Sequence, residues 1–149
     1  MVKDNLKLQG DLKIVLKGKD GKVKLERQEK NLIVDTGLAF ICSRMTDAAD
    51  AVMSHMAIGS NNSTPTATDT DLGTILGIRE PLDSTTHSGN TVTYVSSFEA
   101  GEGTGAVTEA GIFNASALGT MLCRTTFPVV NKGADDTMVI TWTITLSAA

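Results

Sequence analysis

The chain has 149 residues, a formal net charge of −4, 41% apolar and 20% charged residues, and a mean hydropathy of +0.03. These values describe one folded domain with room for a hydrophobic core and argue against global disorder. No apolar run approaches the roughly 20 residues that span a bilayer, and aromatics at 4% leave the core to Val, Ile, Leu, Met and Ala.

Charge is unevenly placed. Residues 1–30 carry nine Lys or Arg against five Asp or Glu, and the rest of the chain carries four against twelve. A basic front on an acidic body suits nucleic acid, an acidic protein surface or a sister subunit. The plainer reading is a lysine-rich hairpin whose charges solvate its outer face. Nucleic acid ranks last, because the basic segment holds no aromatic to stack on a base. The opening MVKDNLKLQGDLKIVLKGKDG lacks the uninterrupted apolar centre of a signal peptide, which predicts a chain made and kept in a cytoplasm.

In chain order, Leu12, Ile14 and Leu16 alternate with Lys13, Val15 and Lys17, and Val23 and Leu25 alternate with Lys22 and Lys24. With Asp20-Gly21 between them as a tight turn, they predict a β-hairpin whose lysines discourage pairing between exposed edges. Leu38, Ile41 and Met45 recur at helical steps, with Asp35 or Thr36 as candidate cap, and predict an amphipathic helix of about ten residues. The following TDAADAVMSHMAIG either extends that helix or begins a strand near Met56.

Asn61 to Thr70 has too little apolar surface for a core element, and Pro65 donates to no ladder, so it reads as a surface loop long enough to suggest a contact role. Asp69 and Asp71 invite a calcium reading. The Asx, Gly and distant Glu of an EF-hand loop do not follow, and Asp capping a short helix over Leu72–Leu76 is the preferred reading. A strand near Ile78–Ser84, a Ser88-Gly89-Asn90 turn and a strand at Thr91–Phe98 come next. The glycines of GEGTGAVTEAGIFNAS lack the context of a phosphate loop and read as a wide turn between strands. MLCRTTFPVV, NKGADD and TMVITWTITL read as strand, turn, strand, with Met138, Ile140, Trp142, Ile144 and Leu146 on a core face.

The expected fold is mainly β: an antiparallel β-sandwich, jelly-roll-like or Ig-like, with one short α-helix and an N-terminal β-hairpin. One domain spans 1–149, residues 1–30 forming a basic arm and 31–149 the body.

Candidate chemistry is thin. No G-x-S-x-G and no Ser/His/Asp grouping is readable, and His55 and His87 stand apart from each other and from Cys42 and Cys123. His55 is expected at a partly buried edge and His87 exposed. Both thiols are expected free and buried. Glu99, Glu102 and Glu109 flank the glycine-rich stretch, but no aromatics accompany them to suggest a sugar cleft. No catalytic residue, metal site or cofactor is expected.

Several stretches carry a resemblance. They are Met56-Ala-Ile-Gly, Glu109-Ala-Gly-Ile-Phe-Asn114, Gly119-Thr-Met-Leu-Cys-Arg124, Phe127-Pro-Val-Val-Asn-Lys132, Asp136 and Ile140-Thr-Trp-Thr-Ile144, with Asn31-Leu-Ile-Val and Gly37 earlier. In these the chain resembles small virion structural proteins of tailed bacteriophages, over roughly residues 31–146. The resemblance implies a β-sandwich that does no chemistry and binds copies of itself, the major capsid protein or other virion proteins, without specific nucleic acid or membrane. It also implies residence in the virion after synthesis in the host cytoplasm. A head decoration or cement protein is the first expectation; a tail, neck, baseplate or fibre-attachment protein is the second, and a host-glycan-binding module the third. Lys17, Lys19, Lys22 and Lys24 are the first candidate contact residues, and Asn61, Asn62, Thr64 and Thr66, in the 61–70 loop, the second.

Overall fold

The computed structural model describes residues 5–46 and 50–148. In chain order the elements are β1 (Leu6–Lys17), β2 (Val23–Ile33), α1 (Asp35–Ser43), β3 (His55–Gly59), β4 (Glu80–Pro81), β5 (Ser84–Ser88), β6 (Thr91–Phe98), β7 (Gly105–Phe113), β8 (Met121–Lys132) and β9 (Thr137–Ala148). All nine strands join one antiparallel sheet in the order β4-β3-β7-β8-β2-β1-β9-β6-β5. Its first and last strands, β4 and β5, are separated by only Leu82 and Asp83. Leu82 N–H donates to Ser54 O beside β3, and Asp83 N–H donates to Val95 O in β6. The sheet therefore curls until its ends meet. No described helix is long and apolar enough to cross a membrane.

The curl follows from period-two patterning. In the β1–β9–β6 ladders Leu12 lies opposite Trp142 and Trp142 opposite Tyr94, while Leu16, Met138 and Phe98 form a second row. These inward residues pack in one core with Met56, Ile58, Ala110, Ile112 and Cys123 from the other half of the sheet. β2 turns the corner: Leu25 to Asn31 pair with β1, and Leu32 and Ile33 pair with β8. Pro128 sits where the β7–β8 register slips between Val107 and Glu109, a place where a missing N–H costs no ladder bond.

Helix α1 covers the end of the core where β6 begins and β9 finishes. It lies so close to β8 that a Cβ at Gly37 would come 2.0 Å from the Leu122 carbonyl oxygen. Its buried residues are Gly37 and Phe40, and Ile41 packs partly buried against the core as expected, whereas Leu38 and Met45 are exposed, so the apolar face is rotated toward the glycine side that lies against β8. The expected side-chain cap is also corrected. Val34 takes the cap position with no side-chain bond, Asp35 N–H donates to Ala67 O at 2.8 Å, and the Thr36 hydroxyl donates to Met121 O.

Several other expectations change. Residues 72–76 form no helix; they run beside β3, with Ile75 bridging Gly59. The strand expected near Ile78–Ser84 shrinks to Glu80–Pro81. The glycine-rich stretch is a turn only as far as residue 104, because Gly105–Phe113 is a central strand, buried at Val107 and from Glu109 onward. Cys42 is exposed while Cys123 is buried, since Cys42 lies off the Gly37–Phe40 face; both thiols are free. Of TDAADAVMSHMAIG, residues 47–49 lie outside the described residues, and the strand begins at His55. β1 is flanked by β2 and β9, so its lysines do not guard an outer strand.

Candidate functional site

The β3–β7–β8 part of the sheet is buried on both faces. Its inner face joins the main core, and its outer face carries Ala57, Phe113 and Met121, which pack with Val34 and Leu72 under the 60–79 segment. Two charged residues share this outer face, Glu109 on β7 and Arg124 on β8.

Glu109 is fully buried. Its carboxylate accepts the backbone N–H groups of Asn61, Gly73 and Thr74, each at 2.9 Å, and Arg124 Nε at 3.0 Å. Arg124 Nη1 reaches onward to Asp69 Oδ2 at 3.0 Å and to Ser63 O at 3.2 Å; Nη2 is buried with no hydrogen-bond partner among the described residues. Asp69 also accepts the Thr66 N–H and hydroxyl. Burial pushes the Asp69 carboxyl up, but the two Thr66 bonds and Arg124 together hold it below the usual carboxylate range. A buried carboxylate persists only when its lone pairs are filled and a counter-charge is close, and both conditions are met by the loop this carboxylate organises. Gly59 is required beneath it, since a Cβ there would lie 2.3 Å from Thr74 O and 2.6 Å from Glu109 Oε2. Asn61 to Leu76 is thereby a fixed surface.

A second buried cation anchors the end of the same segment. Arg79 lies 3.7 Å over the Phe113 ring, donates to the carbonyls of Ala115 and Leu118 in the β7–β8 connection, and sits 3.5 Å from Asp71. Asp71 Oδ1 accepts the Leu72 N–H without starting a helix.

Lys132 forms a third anchor at the end of the sheet where β6, β8 and β1 finish. Its Nζ donates to Glu99 O at 2.8 Å and Asp136 O at 2.7 Å. Burial lowers its pKa, and the charges of Asp136, Glu102 and Glu99 offset part of that. The Asp136 carboxyl is held below the usual range, first by Lys24 and then by the Gly133 N–H.

The expected contact residues divide between two separate surfaces. Lys17, Lys19 and Lys22 are exposed around the β1–β2 connection and make no ion pair among the described residues. Lys24 stays exposed but is paired with the buried Asp136, both carboxylate oxygens lying within 3.0 Å. In the loop, Asn62 and Thr64 are exposed, Asn61 is tied to Glu109 and Ser63, and Thr66 is tied to Asp69. No hydrogen bond or ion pair among the described residues joins the two surfaces.

The residues considered for chemistry are dispersed. His55 Nδ1 lies 2.7 Å from the Ser54 hydroxyl, and exposed His87 Nε2 lies 2.7 Å from Gly89 O. Glu109 is occupied by the loop amides, so it forms no free carboxylate pair with Glu99 or Glu102. Among the described residues no group of three or more His, Cys, Asp or Glu is placed to hold a metal. A groove of about 740 Å³ on the outer face of β1, β2 and β9 is lined by Asp11, Lys13, Gln28, Lys30, Thr141 and Thr143; Lys30 pairs with Asp11 within it, and Lys13 pairs with Glu26.

Sequence reasoning missed Glu109, Arg124, Arg79 and Lys132 as the residues that organise these surfaces. For two of them the signal was a lone charge inside an apolar strand, AVTEAGIF and MLCRTTF.

Stability is expected to fall as pH drops. Asp69 and Asp136 have folded pKa values below their unfolded ones, so their contribution is present above about pH 4 and lost as pH falls through the lower folded values. Urea midpoints measured from neutral to acidic pH should decline, and Asp136→Asn should flatten part of the decline. A profile identical in the variant contradicts the assignment for Asp136.

No family model, curated protein or solved structure matches the chain.

Proposed function

We propose that this chain is a non-enzymatic structural protein of a tailed-bacteriophage virion, acting as a decoration or cement protein on the head shell. The observation that supports this reading is where the residues of the resemblance fall. Glu109, Arg124, Lys132, Asp136 and Trp142 all lie in its signature, and all are spent on holding loops and core together. A signature devoted to rigidity suits a protein whose task is to present fixed surfaces. In this reading the curled sheet is a two-layered antiparallel sandwich, and β1 and β2 form its basic N-terminal hairpin. Partners are the major capsid protein, other virion proteins and sister copies. Many modest contacts repeated by symmetry then stabilise a shell against internal pressure.

Lys17, Lys19 and Lys22 form the first contact with an acidic neighbour, beside Lys24, which is already held by Asp136, and the Asn61–Thr70 loop forms the second. The test is co-sedimentation of the purified protein with separated head shells and separated tails. Saturable binding to heads at a fixed ratio to the shell subunit, lost on charge reversal of Lys17, Lys19 and Lys22 and weakened by salt, is expected. Binding confined to tails transfers the protein to the neck, tail or fibre apparatus. Binding to neither contradicts the virion reading.

A further inference from the structure

Three connections meet at one end of the sheet, those over residues 18–22, 99–104 and 133–136. Lys17 lies opposite Thr137, and Phe98 lies opposite Met138. Gly101 N–H donates to Ala134 O at 2.9 Å, and the Thr137 hydroxyl donates to Glu99 Oε2 at 3.3 Å. The Lys24–Asp136 ion pair ties the start of β2 to the third connection.

The cations and most of the anions on this end come from different connections. Lys17, Lys19 and Lys22 lie in and beside the first, with Asp20 the one acid among them, and Glu99, Glu102 and Asp135 lie in the other two; none of these seven makes an ion pair among the described residues. Elsewhere the same part of the chain matches its cations internally. Lys13 pairs with Glu26, and the β2 cations Lys24, Arg27 and Lys30 pair with Asp136, Glu29 and Asp11. Lys7, Asp35, Arg44, Asp50 and Asp83 also lack an ion pair among the described residues, but they are scattered, whereas this end gathers unpaired charges of both signs side by side. Such a surface is self-complementary under a two-fold rotation, which sets each positive half against the other copy's negative half.

We infer that two copies of this chain associate end to end about a two-fold axis, with Lys17, Lys19 and Lys22 of each facing Glu99, Glu102 and Asp135 of the other. The inference rests on the reading of these lysines as contact residues and names what they meet. The contacts are exposed, so the association is salt-sensitive.

The test is sedimentation velocity of the purified full chain over a range of protein concentrations, at low and high salt. The wild type should dimerise at low salt and dissociate at high salt. Lys17→Glu/Lys19→Glu/Lys22→Glu and, separately, Glu99→Lys/Glu102→Lys/Asp135→Lys should each weaken self-association by about tenfold to a hundredfold, and mixing the two variants should restore pairing. Circular dichroism confirms that each variant is folded. A wild type that stays monomeric at low salt, or a lysine variant that dimerises like the wild type, overturns the inference. A monomer that still co-sediments with head shells overturns it while leaving the virion reading intact. A salt-sensitive dimer that binds no virion part supports it and contradicts the virion reading.

Discussion

Glu109→Ala is expected to cost about 3–5 kcal/mol, a large share of the 5–15 kcal/mol that holds a typical domain together. Glu109 is fully buried, and its removal leaves the Arg124 guanidinium buried with only Asp69 to balance it. The same change orphans the amides of Asn61, Gly73 and Thr74. A buried charge that loses its partner costs more than the pair contributes, because desolvation is no longer offset. Arg124→Met in the same chain should therefore recover part of the loss, so the double variant is less destabilised than the sum of the single ones. Urea midpoints of the four proteins measure this. Strict additivity, or a Glu109→Ala loss below about 1 kcal/mol, contradicts the role given to the pair.

Trp142→Ala is expected to cost a comparable amount, about 3–5 kcal/mol. Trp142 is the only tryptophan, is fully buried, and sits between Leu12 and Tyr94 in the row that joins β1, β9 and β6. Truncation opens a cavity where three strands meet. It also takes the indole N–H, 3.1 Å away, from Asn31 Oδ1, in a side chain whose amide nitrogen already lacks a partner among the described residues. Trp142→Phe keeps most of the volume and loses the hydrogen bond, so it should cost less. Circular dichroism melts of both variants separate cavity from hydrogen bond. Equal costs for Ala and Phe would contradict the packing account.

Strands with strict alternation were legible in the sequence, and residues organised by distant partners were not. β9 reads directly from Met138, Ile140, Trp142 and Ile144, and β6 from Tyr94 flanked by Val92 and Ser96, because each is buried on one face only. β7 was hidden: from Glu109 onward it is buried on both faces, its alternation vanishes, and its Gly, Ala and Glu content imitates a turn. β5, Ser-Thr-Thr-His-Ser, has no apolar residue to announce it and pairs only with β6. The helix was found, but its cap was not, because the acceptor is the carbonyl of Ala67, far along the chain. The lysine surface was legible as composition, although Lys24 proved to be committed to Asp136 across 112 residues. The order of the Asn61–Thr70 loop was not legible, since its own residues are polar and small. What fixes it is a carboxylate 48 residues beyond Asn61 and an arginine 55 residues beyond Asp69.

The proposed contact surface over Asn61–Thr70 is built before any partner arrives. Hydrogen exchange of the Asn61, Gly73 and Thr74 amides in the isolated protein measures this most directly. The three amides, all bound to the buried Glu109 carboxylate, should be protected nearly as strongly as the β7 and β8 ladder, and Glu109→Ala should release them together. Exchange at the rate of an unstructured chain in the wild-type protein would contradict the account.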